Sequence, residues 1–175
     1  MSRSGFALPV LALVGIVAGA ALVASSPGAV AATPVNIAVF DFELEDTSAA
    51  TSEIASDASE LANASAAIRQ LLAQSGRYRV VATANAEAAK THSFYDCGGC
   101  DAAIALKLGA DQSLVGVIRR ISRTEYTFRF QLRDARSGNL VATADSGLRM
   151  GANYSWSKGA ARLISDRLLE PQLRQ

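Results

Sequence analysis

Val35-Asn36-Ile37-Ala38-Val39-Phe40-Asp41-Phe42 runs almost unbroken in apolar and β-branched residues. A run of this kind, with no alternation, predicts a strand covered on both faces, as at the centre of a helix-bearing sheet. The polar stretch after it, Glu43-Leu44-Glu45-Asp46-Thr47-Ser48, reads as a loop at its C-terminal end. Over 52–74, Ile54, Ala58, Leu61, Ala64, Ile68, Leu71 and Leu72 recur three or four apart, which predicts a long helix ended by Ser75-Gly76. Residues 78–82 read as a short strand, 84–91 as a short alanine-rich helix, 92–99 as a loop and 101–108 as a third helix capped by Gly109.

The C-terminal half changes character. Residues 112–121 and 125–134 read as antiparallel strands around Ser122-Arg123-Thr124. In the second, Tyr126, Phe128, Phe130 and Leu132 alternate with Thr127, Arg129, Gln131 and Arg133, so one face is buried and the other polar. Ser137-Gly138-Asn139 turns the chain into a third strand over 140–146. Residues 148–156 look irregular, and Ser155 or Ser157 is positioned to cap a last helix that runs to about Leu169 before Pro171. The order, strand–helix–strand–helix–helix followed by a meander and a helix, predicts an α/β (α+β) single domain. Its expected form is a mixed β-sheet with helices packed mainly on one face.

Upstream, Arg3 and an apolar run from Phe6 to Val23 are followed by Ala29-Val30-Ala31, the small-residue pattern of a signal peptide cleaved before Ala32. The competing reading is a retained membrane anchor; the absence of a basic stop-transfer cluster favours cleavage. Residues 1–31 are thus expected to be a signal peptide and 32–175 one domain of 144 residues in the periplasm, with no stable membrane insertion after cleavage.

Half the residues are hydrophobic and 19% are charged, which excludes a disordered chain. The formal net charge of +1 gives no electrostatic reason to bind nucleic acid. The charge is segregated: residues 32–101 hold ten acids against four bases, and 102–175 hold twelve bases against six acids. The simplest consequence is that the halves attract within one domain; the sharper one is a two-faced surface for a partner. One His and two Cys leave little for a His-rich metal site or a Ser-His-Asp triad.

Cys97-Gly98-Gly99-Cys100 is the most conspicuous motif. Two Cys this close outside the cytoplasm are expected to be oxidised to each other, with the glycines letting the small ring close. A structural staple is favoured over a redox-active pair: Asp96 and Asp101 disfavour a thiolate, no strand leads directly into the motif, and no proline other than Pro34 and Pro171 follows the signal. A zinc site lacks ligands, with only His92 nearby. No cofactor and no metal are expected. Asp41, Glu43, Glu45 and Asp46 form an acidic cluster at a strand end, where ligands often sit, although a solvated loop is the plainer reading. Asn153, Tyr154 and Trp156 lie in a Gly-bearing aromatic segment suited to recognition, or to sealing the last helix onto the sheet. The six arginines at 119, 120, 123, 129, 133 and 136 form a stripe that suits an anion or the chain's own acids.

Several motifs together resemble a known family: Ile37 to Ser48, then Asp96-Cys97-Gly98-Gly99-Cys100-Asp101, Gly109-Ala110-Asp111-Gln112, and Gly147 to Trp156. They look like a family of small exported proteobacterial proteins carrying a domain of unknown function, and the resemblance spans nearly all of the chain after the signal. It implies no established activity. The order of elements is also loosely similar to the α/β domains of envelope-assembly proteins, of the curli-secretion type and the Tol-propeller N-terminal domain. In those the domain binds proteins and is not an enzyme, which is fold-level analogy.

The expectation is therefore a non-enzymatic periplasmic binding or adaptor module of the cell envelope. Its expected partner is an envelope or periplasmic protein, met by Glu43, Glu45, Asp46, Asn153, Tyr154 and Trp156. The alternative is a redox-linked accessory of a periplasmic enzyme system that uses Cys97 and Cys100.

Overall fold

The computed structural model describes residues 33–48, 54–88, 92–152 and 155–170. The expected signal peptide, and the candidates Asn153 and Tyr154, lie outside the described residues. In chain order the elements are β1 (Val35–Val39), β2 (Glu43–Asp46), α1 (Ile54–Gln74), β3 (Tyr78–Val81), α2 (Ala84–Ala88) and α3 (Cys100–Lys107). They continue with β4 (Gln112–Arg120), β5 (Glu125–Asp134), β6 (Leu140–Asp145), β7 (Arg149–Met150) and α4 (Trp156–Ile164), which widens into a π-type turn over Ser165–Leu169.

The sheet is mixed and seven-stranded, in the order β3-β1-β4-β5-β6, with β2 on β4 and β7 on β5. β1 runs parallel to both β3 and β4, the pairing with β3 being made by a crossover through α1. β4, β5 and β6 form the antiparallel meander. The fold class is the expected one, with α1 and α4 packed on one face of the sheet. That core joins Ile37, Val39, Leu114, Ile118, Phe128, Phe130 and Leu132 of the strands to Ala64, Ile68, Leu72, Trp156, Ala160 and Ile164 of the helices. Burying each large side chain there contributes about 1.5–3 kcal/mol. A smaller cluster lies on the other face, where α3 and Phe94 cover Ala38, Phe40 and Val115.

Two expectations need correction. Residues 43–46 are not a loop but strand β2, parallel to β4 with Glu43 opposite Val117 and Asp46 opposite Arg120. β1 and β2 are one strand path interrupted by a bulge. Val39 pairs with Leu114 and Glu43 with Val117, so four steps on one side meet three on the other. The extra residue shifts the alternation: Ile37 and Val39 face the α1–α4 core before it, Phe42 and Leu44 after it. It also sends Asp41 towards α1, where Arg69 pairs with it at 2.8 Å and donates to the Val39 carbonyl. The second correction concerns 148–156, where Arg149–Met150 forms the short strand β7 against Glu125 and Tyr126.

Candidate functional site

The acidic candidates extend from the bulge. Glu43 and Glu45 lie on the sheet face away from α1, and each has a partner. The Glu43 carboxylate accepts a hydrogen bond from the Phe94 amide (2.8 Å) and another from the Ser93 hydroxyl. It thereby pins the segment leading into the cysteines. Glu45 takes a two-pronged contact from Arg119, with Nε 2.8 Å from Oε2 and Nη2 2.8 Å from Oε1. Asp46 pairs with Arg120 at 3.1 Å. The Ser48 hydroxyl, with the Ser48 amide and Arg120, holds its carboxyl below the usual aspartate range despite partial burial.

The arginine stripe meets these acids. Arg120 bridges Asp46 and Asp57, Arg129 pairs with Asp145, and Arg133 lies 3.7 Å from Asp101. Arg120 also lies 5.2 Å from the centre of the Trp156 ring. Four guanidiniums of the stripe are thus committed to carboxylates. Asp57, Asp46, Glu45 and Asp101 come from the acidic half and their arginines from the basic half, so the segregated charge is largely spent inside the domain.

Trp156 is 1% exposed and opens α4 beneath Arg120. It seals helix onto sheet and presents no surface to a partner. An open depression of about 550 Å³ lies at the C-terminal ends of β1 and β3, bordered by Asp41, Arg69, Val80 and Thr83. Arg69 there contacts Asp41, the Val39 carbonyl and Thr83, which ties α1 to the bulge.

The cysteine loop crosses the face opposite α1. Cys97 and Cys100 are joined by a disulfide, with Cα atoms 5.6 Å apart. Gly98 and Gly99 have φ of 70° and 117°, conformations a side chain would disfavour, and they let Cys100 begin α3. The Cys100 amide lies 3.0 Å from Cys97 Sγ. Under the loop, Phe94 packs edge-on against Phe40, ring centres 4.7 Å apart. Asp101, 1% exposed, accepts a hydrogen bond from Ser113 at 2.6 Å. Sequence reasoning singled out His92 as a residue near the cysteines but read it as a loop residue; in the structure its Nε2 lies 3.5 Å from Cys100 Sγ. Seven residues of irregular chain lie between the two, and no periodicity reports such a return.

A second feature lies at the sheet's edge. Among the described residues β6 and β7 both pair with β5 alone, along the same flank. Of the six large exposed hydrophobics among the described residues, four are on or beside these strands: Leu140, Val141, Leu148 and Met150, the last 70% exposed.

These features define a small α/β domain with a stapled loop on one face and an apolar sheet edge. The chain belongs to the DUF3280 family, described as "Protein of unknown function (DUF2380)", whose profile matches residues 35–168. Nothing among curated proteins matches the sequence. Among solved structures it is similar to the PelC dodecamer of Paraburkholderia phytofirmans, at 22% identity and TM-score 0.51, covering 82% of this chain and 91% of that one. It is similar also to the lipoprotein GNA1162 of Neisseria meningitidis, at 19% identity and TM-score 0.50, covering 75% and 92%. TolB of Acinetobacter baumannii matches at 12% identity and TM-score 0.42, over 76% of this chain and 27% of that one. These likenesses are of fold. Among the described residues no helix is long and apolar enough to cross a membrane.

Proposed function

We propose that the protein is a non-enzymatic binding or adaptor module of the cell envelope. Residues 1–31 direct its export, and the remaining domain works in the periplasm. The observation that carries the reading is the β6–β7 edge. A strand edge offers unpaired backbone groups, and natural sheets usually blunt such edges with charge. Here the edge carries Leu140, Val141, Leu148 and Met150, which suits addition of an extended segment from a partner protein. Asn153 and Tyr154 follow this edge in sequence and remain candidate contacts. Glu43, Glu45 and Asp46 lie on β2, away from this edge, with partners in the domain, and Trp156 is buried, so in this reading none of the four meets the partner. The test is crosslinking and capture from envelope extract, with Val141→Lys/Met150→Lys as the control. A partner held by the wild type and lost by the variant supports the reading; equal recovery by both, or none by either, refutes it.

A second reading, a redox-linked accessory that uses Cys97 and Cys100, draws on the Cys100 amide aimed at Cys97 Sγ. A bridge potential well above about −300 mV favours exchange, and one below it a structural staple.

A further inference from the structure

His92, Cys97 and Cys100 bring three metal-ligating side chains together, their ligand atoms all within 4.8 Å of one another. The imidazole and the sulfurs reach this point from two separately anchored segments. Ser93 and Phe94 are fastened to Glu43, Phe94 is buried against Phe40, and the His92 ring stands edge-on to Phe94 at 87°. Beyond it, the Gly98-Gly99 turn aims the Cys100 amide at Cys97 Sγ. An amide hydrogen bond to sulfur favours the charged thiolate without occupying the lone pair a metal needs.

We propose that, with the bridge reduced, His92, Cys97 and Cys100 bind one Cu(I) ion. Two thiolates and an imidazole are a soft donor set that selects Cu(I) or zinc. Structural zinc takes four protein ligands. The Asp101 carboxylate stands close by, with Oδ1 3.9 Å from Cys97 Sγ, but it already accepts a hydrogen bond from Ser113 and lies 3.7 Å from Arg133. Three donors without a fourth among the described residues suit a low-coordinate monovalent ion.

The chemistry balances with a dithiol as reductant. The Cys97–Cys100 bond breaks, two electrons and two protons arrive from the dithiol, and the reductant leaves as its own disulfide. The two thiols release two protons as Cu(I) forms two Cu–S bonds, and copper keeps its oxidation state. Bridge and ion therefore exclude each other. The positive φ of both glycines marks a turn with no side chains to resist the sulfurs' separation.

The site involves neither β6 nor β7, so its failure and that of the edge reading are separable. The test uses the protein as purified from cells, reduced with a phosphine under argon, freed of reductant and titrated into Cu(I) held by excess bicinchoninate. The reduced wild type is expected to withdraw one equivalent of copper and the oxidised protein none. His92→Ala, a change at an exposed loop position, should weaken binding by more than about tenfold. Copper-edge X-ray absorption should show two sulfur ligands and one nitrogen. Circular dichroism of the reduced protein checks that the fold persists. The proposal is overturned if the reduced wild type takes no copper, if His92→Ala binds as tightly, if the oxidised protein competes equally, or if reduction unfolds the chain.

Discussion

At the scale of single residues, Arg120 of β4 ties three further elements together. It is 12% exposed, pairs with the 5% exposed Asp57 of α1 and with Asp46 of β2, and covers Trp156 of α4. Removing one partner of a buried ion pair strands the other charge, so Arg120→Met should cost about 3–5 kcal/mol in urea unfolding. Adding Asp57→Asn removes the stranded charge, and the double variant should be more stable than Arg120→Met alone. The reverse order would mean that Arg120 acts through packing.

The same scale sets the acid limit. The Ser48 hydroxyl and its companions hold Asp46 below the ordinary value of 3.8. Partial burial pushes Asp145 up, but Arg129 and the Gly147 amide outweigh it and its carboxyl also titrates low. A depressed folded-state value means that the unfolded chain binds the proton more tightly. The contribution is therefore present above the ordinary value and is lost as pH falls through it towards the lowered one. The urea midpoint should hold from neutrality to about pH 5 and decline below about pH 4, less steeply in Asp46→Asn/Asp145→Asn. An equal slope in that variant would assign the acid loss to other groups.

At the scale of elements, α4 shows packing overruling propensity. Gly159 lies inside the helix, where alanine would ordinarily gain about 1 kcal/mol. A Cβ there would lie 2.2 Å from the Phe128 ring, so α4 sits close to β5 only because this residue has no side chain. Overpacking of this kind costs about 1–3 kcal/mol, and Gly159→Ala should lower the melting temperature. Phe128→Leu should recover part of the loss in combination; if it recovers none, the strain lies in the backbone.

What the sequence revealed also divides by element. β5 was legible because one face is core and the other solvent, so Tyr126, Phe128, Phe130 and Leu132 announce their period. β2 was not, because its outward residues Glu43 and Glu45 are polar, leaving Leu44 alone to report the buried face. The bulge at 40–42 left no trace in composition, since Phe40 and Phe42 are apolar whichever face they take. In the candidate site the cysteine motif was plain, whereas the approach of His92 depends on Glu43 and Phe40 holding the loop down. Those contacts cross from one element to another, and local pattern does not encode them.

At the scale of the whole molecule, the interactions are unevenly distributed. The α1–α4 core and the ion pairs of Arg120 bind the two halves of the chain around β1, β4 and β5. Among the described residues the β6–β7 edge has sheet neighbours on one flank only. Backbone amides deep in such a core open only with global unfolding, while edge strands with few buried contacts open locally. Hydrogen exchange should therefore place β1, β4 and β5 in the slowest class and β6 in a faster one. If an extended partner segment completes the sheet, its hydrogen bonds must appear as added protection on β6, because that strand supplies the open flank. The measurement is exchange of the protein alone and with the captured partner. Slowing confined to β6 and β7 is the expected result. Slowing confined to the cysteine loop would move the binding surface to the opposite face of the sheet and dissociate it from the edge.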